Sequence, residues 1–282
     1  FLKALQNVNP SDIQRVAIHY LRPSNLIIAI TGDRSRLPKD LDRFCGDSEI
    51  EFFDSLGNRI LQLDPAPIGE TAESVFQDYY NACGGVEGFE SLGSLIQNGH
   101  MSAGSGMEFD LEIKTKYGLG QLTQVSMNGN VMMEQVLTAS KGVNRAKGKV
   151  KDLSEAEFRR LKQSLYPTHL LHLNDLNLTA QLLGMDRDAD GPHYVVDIRF
   201  QGDLRETLYF HNQSHLLVKS VGERKGPTGP VKFATVYSDY EIFQGLAFPM
   251  TMVQTTNGQG MTLSLNEVLT NGRIPSNLFD LK

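Results

Sequence analysis

Seven histidines, two cysteines and a run of spaced aspartates are the residues of this chain that could do metal or nucleophilic chemistry. A zinc site needs convergent neutral imidazoles, and a hydrolytic one also needs a carboxylate beside them. His211 and His215 have the i, i+4 spacing. The string Phe210-His211-Asn212-Gln213-Ser214-His215-Leu216 reads as a hairpin turn, however, and not as a helix. His169 and His172 would share one face of a helical stretch over 169–173, with no Glu or Asp between or directly beside them. The histidines therefore read as solvated or core-edge side chains, and no cofactor or metal is assigned to this chain. Asp186-x-Asp188-x-Asp190-Gly191 reproduces the opening of a calcium loop, with Asp197 standing where a bidentate Glu is usual. Such a loop feeds a helix, whereas Tyr194 to Phe200 alternates with a period of two. Asp190-Gly191 reads instead as a hairpin turn whose carboxylates stay in water. Neither Cys45 nor Cys83 has a base near it in sequence. There is no Gly-x-Ser-x-Gly elbow or dinucleotide fingerprint, and Gly104-Ser105-Gly106 is too short to cradle a phosphate. No catalytic constellation emerges.

What remains is apolar. Met250 and Met252 share one strand face, and Met127, Met132 and Met133 bracket a turn. Thioethers adapt to irregular partners. Met127, Met133, Met250 and Met252 are thus the candidate lining of an apolar ligand cavity, with ordinary core as the competing reading. Lys141, Arg145, Lys147, Lys149 and Lys151 form a local basic stretch that could meet an anionic surface or simply be a solvated loop.

The elements that must position these residues fall into two groups. Asn9, Pro10 and Asp12 open a helix whose apolar residues Ile13, Val16, Ala17, Tyr20 and Leu21 fall on one face before Pro23. Leu26 to Ile30 reads as a strand buried on both faces, followed by a short helix over about 38–44 and a strand over 49–53. That is a short α/β fragment covering 1–63. The stretch 64–70, with Pro65 and Pro67, reads as a linker. From 71 to 282 one helix capped by Thr71 is followed by period-two alternation and recurring turn signals. A second helix, opened by the Ser154/Glu157 capping box, interrupts that pattern. The fold class is α+β: a curved antiparallel sheet with plugging helices, preceded by the α/β fragment.

Composition narrows the function. Twenty-seven Lys and Arg against 33 Asp and Glu leave a net charge of −6, which argues against a protein that grips nucleic acid. The longest apolar run, Leu26 to Ile30, falls far short of the ~20 residues of a membrane span. Two cysteines exclude a disulfide scaffold and leave open whether they pair. The chain has no Trp. It also begins at Phe1 without an initiator Met or leader, which suggests a cut precursor or a part of a longer chain.

Two resemblances follow from these strings. Asn9-Pro10-Ser11-Asp12-Ile13 through Val16-Ala17, Tyr20-Leu21 and Leu26-Ile27-Ile28-Ala29-Ile30 to Gly32-Asp33 resembles the end of a pitrilysin/insulinase-family zinc protease domain. The family's inverted His-x-x-Glu-His motif is absent from this chain, so no catalytic residue carries over. The resemblance implies the closing part of a non-catalytic half-domain, with zinc and catalysis, if any, in an upstream half of the precursor. The stretch 71–282 resembles the lipoprotein-carrier fold of LolA and LolB, a half-barrel with helices on its concave side. The resembling strings are Cys83-Gly84-Gly85, Leu182-Leu183-Gly184, Tyr209-Phe210-His211, Ser238-Asp239-Tyr240 with Gly245 and Pro249, and Asn266-Glu267-Val268 to Ile274-Pro275 and Leu278-Phe279. Relatives place a Trp after the Asn-Gly hairpin, where Val131-Met132-Met133 stands here. The resemblance implies a periplasmic or envelope location and a lipid or lipoprotein acyl chain as partner. A protein partner such as a protease domain, or an active zinc metallopeptidase encoded upstream, are the alternatives.

Overall fold

The computed structural model describes residues 8–20, 27–32, 36–38, 40–45, 50–53, 59–60, 62–104, 106–188, 191–200, 205–226 and 229–281. By its internal contacts the chain divides into two compact units, Phe1–Ile60 and Leu61–Lys282.

In the first unit helix α1 spans Pro10–Tyr20. A reciprocal cap fixes its start. The Asn9 side chain accepts the Asp12 backbone N–H at 3.0 Å, and the Asp12 carboxylate accepts the Asn9 N–H at 3.3 Å. A 3₁₀ turn, Leu41–Phe44, stands where a helix over 38–44 was anticipated. Strand β1 (Phe52–Phe53) pairs antiparallel with β2 (Arg59–Ile60), while Glu49 lies outside the described residues. The run from Leu26 to Ile30 corrects the expectation of a strand buried on both faces. Leu26 is outside the described residues, 27–30 carry no strand, and Ile27 is 91% exposed. A β-branched run becomes a buried strand only where a ladder receives it. The strands described in this unit are two residues long and pair with each other.

In the second unit α2 spans Ala72–Ala82. The Thr71 hydroxyl accepts the Ser74 N–H at 3.1 Å, and the Ser74 hydroxyl accepts the Thr71 N–H at 2.8 Å. The helix ends where Gly84 and Gly85 donate back to Asn81 and Tyr80. A short α3 (Val86–Glu90) leads into β3 (Ser94–Ala103), β4 (Met107–Lys116), β5 (Gly120–Met127), β6 (Asn130–Thr138), β7 (Gly142–Ala146) and β8 (Lys149–Asp152). Helix α4 (Glu155–Lys162), opened by the Ser154/Glu157 box, comes next. A 3₁₀ turn, His169–Leu171, occupies the stretch anticipated as a helix over 169–173. The chain then runs through β9 (Thr179–Asp188), β10 (Gly191–Arg199), β11 (Arg205–His211), β12 (Leu217–Gly226), β13 (Gly229–Phe243), β14 (Leu246–Thr256) and β15 (Gln259–Thr270). No described helix is long and apolar enough to cross a membrane.

Among the described residues, β3 to β15 form one antiparallel sheet of 13 strands, in the order β8-β7-β6-β5-β4-β3-β15-β14-β13-β12-β11-β10-β9. Every neighbour is a hairpin neighbour except β15 and β3, which join the two halves. The sheet is unclosed, with β8 and β9 as its edges. At the β9 edge Asp64 exchanges two backbone bonds of 2.8 Å with Met185, and its carboxylate meets Arg187 at 2.8 Å, so part of the proline-rich 64–70 stretch is tied to the sheet.

Strand alternation gives the sheet two faces. The inner face carries the main core: Phe76 and Tyr80 of α2, Cys83 at its C-cap and Leu170 pack on Val196, Ile198, Leu208, Phe210, Phe248 and Leu265. The outer face carries a smaller cluster of Leu122, Val136 and Val143, covered by Ile274 and Phe279 of the C-terminal tail.

Gly84 is the tightest approach between helix and sheet. It has φ +116°, and a Cβ there would sit 2.1 Å from the Gly245 backbone oxygen. Gly129, in the β5–β6 turn, has φ +74° with open space around it. Chemical denaturation should show that Gly129→Ala costs about 1 kcal/mol, the backbone strain alone. Gly84→Ala should cost well beyond that, because backbone must move; equal costs would contradict the close approach.

Candidate functional site

The concave face is assembled by register. Met101 of β3 stands opposite Leu263 of β15, Leu263 opposite Met252 of β14, and Met252 opposite Tyr237 of β13. These four side chains form one row across four strands, and all four are half-buried. Deeper along these strands and the adjacent β4 the face is closed: Leu95, Leu265, Met250, Phe248 and Leu111 are buried. Towards the β3–β4 and β14–β15 turns burial falls, through Met101, Leu263, Met252, Met261 and Phe109. The inner face is therefore sealed at the α2 end and opens towards those turns.

Two coverings produce the seal. Phe76 and Tyr79 of α2 meet Phe210 edge-on, with ring centroids 5.8 and 5.5 Å apart. Tyr80 meets Phe89, and Phe89 meets Phe248, at 5.4 and 5.7 Å. The segment after β8 supplies the second covering. Leu153 lies against Gly142 and Leu137, Ser164 donates to the Gln121 carboxamide oxygen at 3.0 Å, and the Leu170 N–H donates to the Tyr80 hydroxyl at 3.4 Å. Burial shifts the titratable groups underneath. It pushes the Cys83 thiol up to about 11 and the Tyr117 phenol up to about 12. Part of His169 reaches solvent, but the packing around its ring pushes the imidazole down to about 4.

A polar strip runs beside the apolar row. Ser220 is buried, its hydroxyl 3.3 Å from that of Tyr237 and hydrogen-bonded to Glu206. Burial raises the Glu206 carboxyl, against the Ser220 bond and the nearby Arg160 charge. A floor of thioethers and Leu with a hydroxyl and carboxyl strip alongside can hold an apolar chain that carries one polar group.

The structure divides the anticipated methionines. Met250 and Met252 share the inner face of β14, one buried and one half-buried. Met127 lies on β5 and Met133 on β6, with β4, β3 and β15 between them and β14. Met127 is half-buried and Met133 is 37% exposed, at the rim. Met101, Met261, Leu263 and Tyr237 were not singled out from sequence. Period-two alternation alone places Met261 and Leu263 on one face, but the β15–β3 pairing that adds Met101 is remote in the chain.

The other residues with chemical potential have ordinary partners. His169 Nδ1 lies 3.5 Å from the Tyr80 hydroxyl, while His172 meets Asp175 at 3.2 Å and Glu90 at 3.7 Å. His211 bonds Ser214 within the β11–β12 turn, and His215 meets Asp78 at 3.9 Å. Among the described residues no group of three or more His, Cys, Asp and Glu is placed to hold a metal ion. Asp188 pairs with Gly191 as the β9–β10 hairpin closes; Asp190 lies outside the described residues. Asp197 is buried and accepts from Arg205 at 2.8 Å and Arg199 at 3.1 Å, so its carboxylate is engaged by two guanidinium groups. Both cysteines are free thiols.

The Glu206 shift fixes a sign. A carboxyl raised in the folded state binds its proton more readily there than in the unfolded chain. Stability from this group is therefore full at acid pH and lost as pH rises through its folded pKa. Glu206→Gln should raise the melting temperature near neutral pH, and the gain should vanish below about pH 4. A melting temperature unchanged near neutral pH would contradict the burial of this carboxyl. Cys83 should resist alkylation by iodoacetamide until the protein is unfolded, because its thiolate is scarce and its sulfur enclosed; mass spectrometry reads the adduct.

No protein-family model matches the sequence, and no curated protein matches it. Solved structures do. A LolA superfamily protein from Nitrosomonas europaea is similar with a TM-score of 0.53 and 12% identity, over 75% of this chain and 98% of that one. A domain from Vibrio parahaemolyticus, described as that of an outer membrane lipoprotein-sorting protein, is similar at 0.53 and 11%, over 74% and 97%. A DUF1329 family protein from Desulfovibrio piger follows at 0.52 and 11%, over 74% and 97%. At such identity the likeness establishes architecture alone: an unclosed antiparallel half-barrel similar to that of the LolA superfamily protein.

Proposed function

We propose that this protein is a non-catalytic binding module of the bacterial cell envelope whose concave face takes an apolar chain, the acyl chain of a lipid or lipoprotein. The observation that carries this reading is the row Met101, Leu263, Met252 and Tyr237, in register across four strands and only half-buried although it faces inward. A face serving only as core would be covered throughout, as the α2 end is. The fold of a lipoprotein-sorting domain supports the same reading and the periplasmic location that goes with it. On this reading Met250 and Met252 line the floor, while Met127 and Met133 belong to the rim. The protein needs no cofactor of its own.

A second reading concerns the parent molecule. The string from Asn9 to Asp33 favours a C-terminal part of an envelope zinc metallopeptidase with its catalytic half upstream, or a protease-domain partner. The lack of a strand over 27–30 lends it no support. Stoichiometric zinc in this chain, or peptide cleavage by it, would favour that reading over a binding module.

The test is uptake of fatty acids by delipidated protein, followed by native mass spectrometry and by displacement of a fluorescent fatty acid. Each methylene transferred from water contributes about 0.8 kcal/mol. Affinity should thus rise up to about fourfold per methylene from dodecanoate to hexadecanoate. Met252→Leu should keep binding and Met252→Glu should abolish it with the fold intact by circular dichroism. Absence of uptake, or affinity independent of chain length, would sink the proposal.

A further inference from the structure

The turns at 128–129 and 147–148 lie at the same end of the sheet as the β3–β4 and β14–β15 turns, the end towards which the concave face opens. Their chemistry is unlike the rest of the molecule. Val131, Met132 and Met133 are consecutive, apolar and exposed at 51%, 38% and 37%, where a β-bulge interrupts the pairing of β5 with β6. The neighbouring β7–β8 hairpin adds Val150, 56% exposed. The registers Glu134↔Arg145 and Ala146↔Lys149 bring the two tips side by side.

Charge is equally uneven. Between Lys141 and Lys151 five residues are basic and none is acidic, in a chain whose net charge is −6. Lys141 is engaged with Asp152 at 2.9 Å. Arg145 faces Glu134 at 3.9 Å, so that carboxylate is met by a guanidinium group. Lys147, Lys149 and Lys151 are exposed; Lys147 and Lys149 make no ion pair among the described residues, while the Lys151 charge acts on the Glu157 carboxylate.

Three exposed apolar residues in a row are costly in water, and beside them an otherwise acidic protein gathers exposed lysines. They match one environment, the headgroup boundary of an anionic bilayer. There the lysines meet lipid phosphates and the apolar tip reaches the acyl layer. We infer that the paired tips of the β5–β6 and β7–β8 hairpins form a membrane-docking surface for anionic lipid, with Val131 and Met132 inserted and Lys147, Lys149 and Lys151 at headgroup level. This surface does not depend on whether the concave face is occupied.

The absence of Trp gives a clean test. Met132→Trp makes the full chain a single-tryptophan protein. Its emission should shift to the blue and be quenched by brominated acyl chains with phosphatidylglycerol vesicles, and stay unchanged with phosphatidylcholine vesicles. In cosedimentation of the unlabelled protein, Lys147→Ala with Lys149→Ala should weaken phosphatidylglycerol binding about thirtyfold, at about tenfold per 1.4 kcal/mol and ~1 kcal/mol per lysine. Val131→Ser with Met132→Ser should also weaken it, with the fold of each variant verified by thermal melting. No binding to either vesicle would overturn the inference. So would binding that survives the serine variant with water-exposed tryptophan emission, which would make the surface a purely electrostatic one for any polyanion.

Discussion

The half-barrel depends on a seal between one helix and one strand, the packing of Phe76 and Tyr79 of α2 against Phe210 of β11. A sheet of 13 strands that does not close on itself has an inner face that water would otherwise enter from several sides. Large rings laid edge-on over that face remove apolar surface from water and fix how the helix sits. The helix is held at both ends. Thr71 and Ser74 cap its start, and at its finish Gly84 brings its backbone against the β13–β14 turn while Ala247 donates to the Cys83 carbonyl at 2.8 Å. High thiol and phenol pKa values beneath it, at Cys83 and Tyr79, are the electrostatic imprint of that dryness.

Because the seal lies at one end, the two ends of the strands have different fates. On β14 burial changes from Phe248 and Met250 to the half-buried Met252, and on β15 from Leu265 to Leu263 and Met261. The same strands thus supply rigid core and open floor, and no separate device is needed to shape a binding surface. Polarity is also sorted by place. The Glu206–Ser220–Tyr237 strip lies beside the floor, and the lysines gather on the rim. On the proposed function, the apolar floor takes the acyl chain, and the inferred docking rim brings it to the membrane.

Much of this was legible in the sequence where local chemistry decides. The caps at Asn9, Thr71 and Ser154 appear where those residues and their partners predict. The Asn128-Gly129 and Asn257-Gly258 pairs both carry positive φ angles in hairpin turns. Asp186, Asp188 and Asp197 fit a hairpin because Tyr194 to Arg199 lies in a strand. What depends on distant pairing was not legible. The β15–β3 junction joins residues some 160 positions apart, so nothing local to Met101 marks it as part of the floor. The division of the methionines between β14 and the β5–β6 rim has the same cause. Ile27 to Ile30 shows the converse error: a strong local β pattern without a ladder to receive it.

Methionine methyl groups report on the floor and the rim at once, since Met101, Met252 and Met261 stand on one and Met132 and Met133 on the other. The most direct measurement is a methyl-carbon NMR titration of the full chain with hexadecanoate below its micellar concentration, each methionine assigned by substitution. The account predicts shifts at Met101, Met252 and Met261, with Met132 unmoved. Shifts confined to Met132 and Met133, or none at all, would contradict it.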